Sequence, residues 1–372
     1  MAEIINRDVV KALYESGWFR TTGSYVLVDG QYGSTGKGVA AALLAAYAKE
    51  TALPIDGIMS NAGPNSGHTA IIPGGKWINK QIPIATSVLD HLGRPTYTYL
   101  NGGAVIAMDE LLTEWKALSE HAQDLVAIHP HAAEVTDADK STNTDLVKRI
   151  ASTGKGTGPA AAARILRTGR VYGDNLPLGD IPDKMTPSWA MRAFDPYAGV
   201  VFVETSQGFS LGINSGFYPH CTHRECTVGQ AMADARLPLQ TLNKVMMVVR
   251  TYPIRVGNTE NSSGDCYPDQ RELTWEEVGQ EPEYTTVTKR VRRIFSWSRM
   301  QFVEAVSVNR PDTILLNFAN YMKKHDLEAM LSNINDDLDN LVNLSAGQYK
   351  KPLLLLGFGP STTDVVTVEG TR

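Results

Sequence analysis

The nine residues Gly30-Gln31-Tyr32-Gly33-Ser34-Thr35-Gly36-Lys37-Gly38 constrain this chain more than any other stretch. They follow a short apolar run, residues 25–28, and precede an Ala/Leu-rich run, residues 39–47. Strand, glycine loop, helix is the context in which such a loop binds phosphate. Successive backbone N–H groups at a helix N-terminus attract an anion, and glycines admit it without a Cβ in the way. Lys37 adds a cation. The spacing from Gly30 to Gly36 is one residue longer than in a Walker loop, and Gly38 stands where Ser or Thr would hold magnesium. An ordinary βα turn can share this composition, so the loop alone does not decide.

More apolar runs follow at 57–59, 104–107, 199–203, 245–249, 313–316 and 352–356, many of them separated by helical stretches. Short buried strands alternating with helices predict an α/β fold: a large, mainly parallel central sheet flanked by helices. Residues 3–19 carry Ile4, Ile5, Val9, Val10, Leu13, Tyr14 and Trp18 at helical spacing. They predict an N-terminal helical extension over 1–20, with a single catalytic domain over 21–372. The polar stretch 258–282 reads as an excursion from the core. A net charge of −5 gives no reason to expect binding to a nucleic acid polymer. No apolar run is long enough to span a membrane. Three cysteines make no disulfide framework, and with no signal-peptide pattern at the N-terminus the expected location is the cytoplasm.

Four further loops could carry chemistry. Asn61-Ala62-Gly63-Pro64-Asn65-Ser66-Gly67-His68-Thr69 sets a histidine after small turn residues, suited to an acid or an electrostatic stabiliser. A turn with a core histidine would look the same. Ser152-Thr153-Gly154-Lys155-Gly156-Thr157-Gly158-Pro159 reads as a second phosphate cradle or a flexible loop, followed by Arg164 and Arg167. In Glu204-Thr205-Ser206-Gln207-Gly208, the Gln207 amide could read a base edge, and Thr222 further on could donate to a phosphate. Thr285-Thr286-Val287-Thr288-Lys289-Arg290-Val291-Arg292-Arg293 offers hydroxyls and guanidinium groups for carboxylates and phosphates, though charge runs are usually solvated. The soft ligands of His220–Cys226 lack a second pair elsewhere, and zinc is discounted.

Five such loops in this order resemble adenylosuccinate synthetase. The most specific pieces are the Gln-aromatic-Gly-x-x-Gly-Lys-Gly, Asn-x-Gly-His-Thr and Thr-Gly-x-Gly-x-Gly-Pro loops. The resemblance implies a P-loop-related fold and a reaction in two steps. A triphosphate phosphorylates the 6-oxygen of a purine monophosphate, and the amine of aspartate then displaces phosphate. It implies that Gly33, Thr35, Gly36, Lys37 and Gly38 hold the donor phosphates with Gly67, His68 and Thr69. Asn317, Asn320, Gly359 and Pro360 would complete the donor site. Ser34, His68 and Lys37 would be the catalytic positions. Ser34, Asn65, Ser152, Thr153, Gln207, Thr222, Val256 and Arg290 would hold the purine monophosphate. Arg167 would reach the partner's site in a homodimer. Thr286, Thr288 and Arg292 would grip L-aspartate. Mg2+ is the implied cofactor, with the Gly67 carbonyl and the Ser34 position in its shell.

Two departures from the family pattern matter. The family's Gly-Asp-Glu-Gly-Lys-Gly reads Gly33-Ser34-Thr35-Gly36-Lys37-Gly38 here. The family's Asp takes the purine N1 proton and binds magnesium, and a serine without a partner is no general base near neutral pH. The change also removes a negative charge and leaves space that the 2-amino group of guanine could occupy. That pattern resembles the phage-type 2-aminoadenylosuccinate synthetases, which act on dGMP toward 2,6-diaminopurine DNA; a phage-encoded chain would work in the host cytoplasm. Secondly, the Thr-Lys-x-Asp that reads the guanine of GTP aligns with Asn317-Phe318-Ala319-Asn320. Asn offers one carbonyl acceptor where Asp accepts from both guanine N–H groups, so ATP or dATP becomes the expected donor. A variant acting on IMP and a catalytically silent nucleotide-binding paralogue stay open at this level. Asp29, at the strand end, is either the replacement base or a cap of the following turn.

Overall fold

The computed structural model describes residues 3–175, 186–187, 194–285 and 289–368. Among them, ten strands form one sheet. Its order is Val365–Thr367, Leu353–Gly357, Thr313–Asn317, Leu242–Arg250, Gly23–Asp29, Val200–Glu204, Gly57–Ser60, Tyr97–Leu100, Val126–Ile128 and Thr186–Pro187. Every neighbouring pair is parallel except the antiparallel edge made by Val365–Thr367. The apolar runs read from sequence at 25–28, 57–59, 199–203, 245–249, 313–316 and 352–356 are all strands of this sheet. Within the run 104–107, Val105–Ile106 instead pairs with Ala133–Glu134 in a separate two-stranded ladder.

The central strand Gly23–Asp29 is buried along its whole length. Successive side chains point to opposite faces, so each face carries its own core. Tyr25 and Leu27 join one apolar cluster with the helices Arg7–Glu15, Lys37–Glu50 and Ile84–His91. Val26 and Val28 join the other with Val228–Ala235, Arg299–Asn309 and Lys324–Leu344. Helix Lys37–Glu50 is buried from Lys37 through Ala48. Its six alanines combine high helix propensity with little bulk, which lets sheet, hairpin and a neighbouring helix close on it together. A Cβ on Gly38 would lie 2.2 Å from the Thr69 carbonyl oxygen, so the glycine there serves close packing against the hairpin His68–Ile72/Gly75–Asn79.

The N-terminal segment differs from the sequence expectation. Its helix covers Arg7–Glu15, not 3–19: the Asn6 side chain caps it by accepting from the Asp8 N–H, and Gly17 at φ 90° turns the chain away. Nor is it an extension in the packing sense. Ile5, Val9, Leu13, Trp18 and Phe19 are buried in the main core, and the Trp18 Nε1–H donates to Thr313 Oγ1 at 3.0 Å. The polar stretch 258–282 leaves the main sheet as read, yet it has a small core of its own. Strands Ile254–Arg255, Arg293–Phe295 and Glu272–Leu273 pair, with Trp275 packed on Ile254 and Ile294. Truncating Trp18 to Ala is expected to cost about 3–5 kcal/mol in chemical denaturation, as for a buried aromatic; a cost near zero would mean that residues 1–20 are an appendage.

Candidate active site

Because the strands are parallel, their carboxyl ends meet at one edge, where ligands of open α/β sheets bind. A cavity of about 500 Å³ lies there. Its floor is the first glycine loop, and that loop is built on Asp29. The Asp29 carboxylate is almost fully buried. Its Oδ1 accepts from the N–H groups of Gln31 (2.9 Å) and Gly33 (3.2 Å). Its Oδ2 accepts from Thr35 Oγ1 (2.5 Å) and Lys37 Nζ (3.0 Å). Asp29 is therefore the cap of its turn, not a base facing the cavity. From below, Asn317 Nδ2 donates to the Thr35 carbonyl at 2.8 Å. With its neighbours so tied, Ser34 stands at φ 55° with its side chain exposed on the cavity wall.

Lys37 Nζ also donates to the Gln207 carbonyl at 2.8 Å, which joins the first loop to the fourth. Gln207 itself sits at φ 70° and lines the cavity. His68 opens the hairpin strand His68–Ile72 and faces the same space. Its Nδ1 donates to Glu204 Oε1 at 3.0 Å, which leaves Nε2 for a ligand. Glu204 is buried at the end of its strand and also accepts from the N–H groups of Ile84 and Ala85, each at 3.1 Å, at the start of a helix. Sequence reasoning named the loop after Glu204 and missed the residue's own part. The available signal was an acid closing an apolar strand run, Val200-Val201-Phe202-Val203-Glu204.

On the far wall, Arg290 draws two loops together: its guanidinium donates to the carbonyls of Gly257 (3.2 Å) and Ser152 (3.3 Å). Thr153, Val256 and Arg292 line the cavity beside it. Burial lowers the Arg292 pKa to about 10, still well above neutrality. Asn65, Gly67, Thr69, Asn320, Gly359 and Pro360 line the cavity as well, as do Gly33, Thr35, Gly36, Lys37 and Gly38. Other expected residues stand elsewhere. The Ser152 hydroxyl faces Asn143 Nδ2 at 2.9 Å, and only its carbonyl turns toward Arg290. Thr222 is held by its backbone N–H to the Leu211 carbonyl, off the cavity lining. Arg167 is an exposed left-handed cap after helix Thr157–Leu166, away from this chain's own cavity. Asn317 lines the cavity; its amide nitrogen braces the loop backbone, while its Oδ1, the acceptor expected to read a base, makes no hydrogen bond to a described residue. Thr286 and Thr288 lie outside the described residues.

The adenylosuccinate synthetase family model matches residues 26–194 and 186–327. The chain belongs to the adenylosuccinate synthetase family. Within it, the chain is 35% identical over 353 residues to the N6-succino-2-amino-2'-deoxyadenylate synthase of Vibrio phage phiVC8, covering 91% of this chain and 96% of that protein. The archaeal adenylosuccinate synthetase of Pyrococcus horikoshii is 29% identical over 281 residues, covering 73% of this chain and 76% of that one. Among solved structures, the succinoaminodeoxyadenylate synthetase of cyanophage S-2L, bound to dGMP and to dATP as an energy donor, superposes with a TM-score of 0.79. It shares 32% identity and covers 95% of this chain and 97% of its own. Among the described residues, no helix is long and apolar enough to cross a membrane.

The loop geometry makes Asp29 a residue whose loss reaches the whole floor of the site. Asp29→Asn keeps the shape and removes the charge beside buried Lys37. It is expected to cost about 3 kcal/mol or more of stability and to abolish triphosphate binding. Denaturation and nucleotide titration of the variant read both; unchanged triphosphate affinity would contradict this account of the loop.

Proposed function

We propose that this chain is a ligase joining L-aspartate to the 6-position of dGMP, with ATP or dATP as phosphoryl donor. The product is N6-succino-2-amino-2'-deoxyadenylate, a precursor of 2,6-diaminopurine DNA. The observation that carries the reading is Ser34, displayed on the cavity wall at the position where the wider family has a catalytic aspartate. A short neutral side chain leaves room there for the 2-amino group of guanine and offers it an acceptor oxygen. The names of the phage relatives, and the dGMP and dATP in the solved cyanophage enzyme, support the substrate, the deoxyribose and an adenine-type donor.

In this reading the donor phosphates rest on the N–H groups of the first loop, at the N-terminus of helix Lys37–Glu50. Lys37, held by Asp29 and the Gln207 carbonyl, has a remaining N–H to give them. His68, oriented by Glu204, presents Nε2 to the phosphoryl group in transit and to the 6-oxygen. The 6-oxygen attacks the γ-phosphorus and the nucleoside diphosphate leaves. The aspartate amine then attacks C6 and phosphate leaves. Arg290 and Thr153 hold the monophosphate, Gln207 faces its base, and Arg292 with Thr286 and Thr288 grips the aspartate carboxylates. Arg167 reaches the partner's site in a homodimer. Asp29 is committed to its turn and Ser34 carries no charge, which leaves the incoming aspartate to take the N1 proton.

A magnesium ion fits this site in one particular way. Among the described residues, no cluster of three or more acidic, histidine or cysteine side chains is present. The Gly67 carbonyl and Ser34 hydroxyl are neutral oxygens on the cavity, so the ion would be held mainly by the phosphates of the nucleotide, as Mg2+ commonly is. When bound, it neutralises charge on the phosphates. The reaction belongs in the cytoplasm, the host's for a phage-encoded enzyme, where free nucleotides are at hand.

A coupled phosphate-release assay tests the reading. Turnover is expected with dGMP, aspartate and ATP or dATP, and little with IMP. Ser34→Asp is expected to lower kcat/KM for dGMP about tenfold or more by crowding the 2-amino group. Turnover with IMP and not dGMP would replace this reading with that of a variant adenylosuccinate synthetase.

A further inference from the structure

Arg250 ends the strand Leu242–Arg250, and its side chain is fully buried. Its contacts run to three different segments of the site. Nη1 donates to the Ser34 carbonyl at 3.2 Å. The two guanidinium nitrogens grip Glu283, Nη2 to Oε1 at 2.5 Å and Nη1 to Oε2 at 3.3 Å. The guanidinium carbon lies 3.7 Å from the centre of the Phe318 ring. Tyr321, on the same loop as Phe318, donates its hydroxyl to Glu283 Oε1 at 3.1 Å. Phe318 and Tyr321 both line the cavity.

Each of these partners belongs to a different substrate in the reading above, on which the assignment of subsites rests. Ser34 belongs to the purine and phosphate loop. Phe318 and Tyr321 lie on the donor-base loop. Glu283 pairs with the segment that carries Arg290 and Arg292: its carbonyl accepts from the Arg292 N–H at 2.8 Å, and Tyr284 bridges Val291. Burial works against a charge on Glu283, yet the Arg250 guanidinium holds its pKa below the ordinary carboxylate value, with Arg292 and the Tyr321 hydroxyl in support. The pair is therefore an ion pair in the folded protein.

Arg250 is fully buried and Glu283 a quarter exposed; such a pair contributes little to stability that apolar packing could not supply, so its value lies in the geometry it sets. A lysine could supply the charge here. It could not also supply the fork that matches a carboxylate and the flat face that stacks on a ring. One arrangement of the guanidinium satisfies Ser34, Phe318 and Glu283 together. A ligand that orders any one of these segments thus reduces the ordering cost of the others.

We infer that Arg250 and Glu283 are positioning residues that couple the triphosphate subsite to the aspartate subsite. Occupancy of the donor-base loop fixes Phe318 and Tyr321 against the pair, and the pair then holds the segment of Arg290 and Arg292 in place for the amino acid. Linkage requires the same factor in the reverse direction.

The test is equilibrium titration of the full chain with the β,γ-imido analogue of ATP, in the presence of dGMP, without and with saturating aspartate. The reverse titration of aspartate, without and with the analogue, follows. For the unaltered protein, each ligand is expected to tighten the other by about fivefold or more. Arg250→Lys and Glu283→Gln are each expected to bring that factor to about one, and the double variant to change it no further. Phe318→Leu, which removes the stack and leaves the ion pair, is expected to lower the factor as well; it serves if either charge variant fails to fold. A factor of one in the unaltered protein, or a factor retained in folded variants, would overturn the inference. Repeating the titrations with IMP separates the two claims: coupling seen with IMP and not with dGMP would sink the proposed substrate while leaving the Arg250–Glu283 coupling in place.

Discussion

The site depends on one buried negative charge. Asp29 ends the central strand, where the chain must turn, and its carboxylate takes two backbone N–H groups, a hydroxyl and an ammonium from the next eight residues. A carboxylate so deep would be costly if unpaired; with four donors it becomes the template on which the loop is wound. The same contacts that neutralise it direct the rest of the loop outward. Gly33 and Gly36 adopt positive φ, and Ser34 is left at φ 55° with its side chain on the cavity wall. The residue that distinguishes this chain from the wider family is thus presented by a scaffold whose charge balance does not involve it. The loop's supports therefore do not depend on the side chain at position 34.

Around that scaffold, buried polar pairs set distances between segments far apart in sequence. Glu204 reaches across to His68 and to the N-terminus of helix Ile84–His91. Arg224, largely but not fully buried, donates to the carbonyls of Asn61 and Gly103 and to Ser206 Oγ, which ties the histidine loop to the Gln207 loop from behind. Arg250 does the same beneath Ser34. These charged groups are satisfied largely by loop backbone, so the loops at the strand ends are tied to one another and to the sheet that carries them. A parallel sheet is what makes such ties possible, because it delivers every one of these loops to one edge.

Much of this was legible in the sequence, and for identifiable reasons. Buried strands such as 199–203 and 245–249 are continuous apolar runs because both of their faces are covered. The glycine loops stand out because close approach to phosphate tolerates few other residues. Strands Tyr97–Leu100 and Val126–Ile128 escaped notice: they are short, and Tyr97-Thr98-Tyr99-Leu100 mixes polar and apolar residues. The edge strand Val365–Thr367 is three residues long. Residues 1–20 looked like an extension because helical spacing reports which face is apolar and says nothing about what covers it. Asp29 offered two readings, base or cap, and its contacts decide for the cap. The parts played by Glu204, Arg224 and Arg250 were hidden for a different reason. Their partners include groups more than 100 residues away, and no local pattern encodes such a pairing.

On the proposed function, Ser34 faces the edge of guanine where an aspartate faces hypoxanthine in the wider family. A crystal structure of this protein with dGMP bound tests it most directly. The 2-amino nitrogen is expected within hydrogen-bonding distance of Ser34, about 3 Å, with no protein carboxylate at N1. A base bound with its 2-amino group turned away from Ser34, or with a carboxylate of this chain at N1, would contradict it.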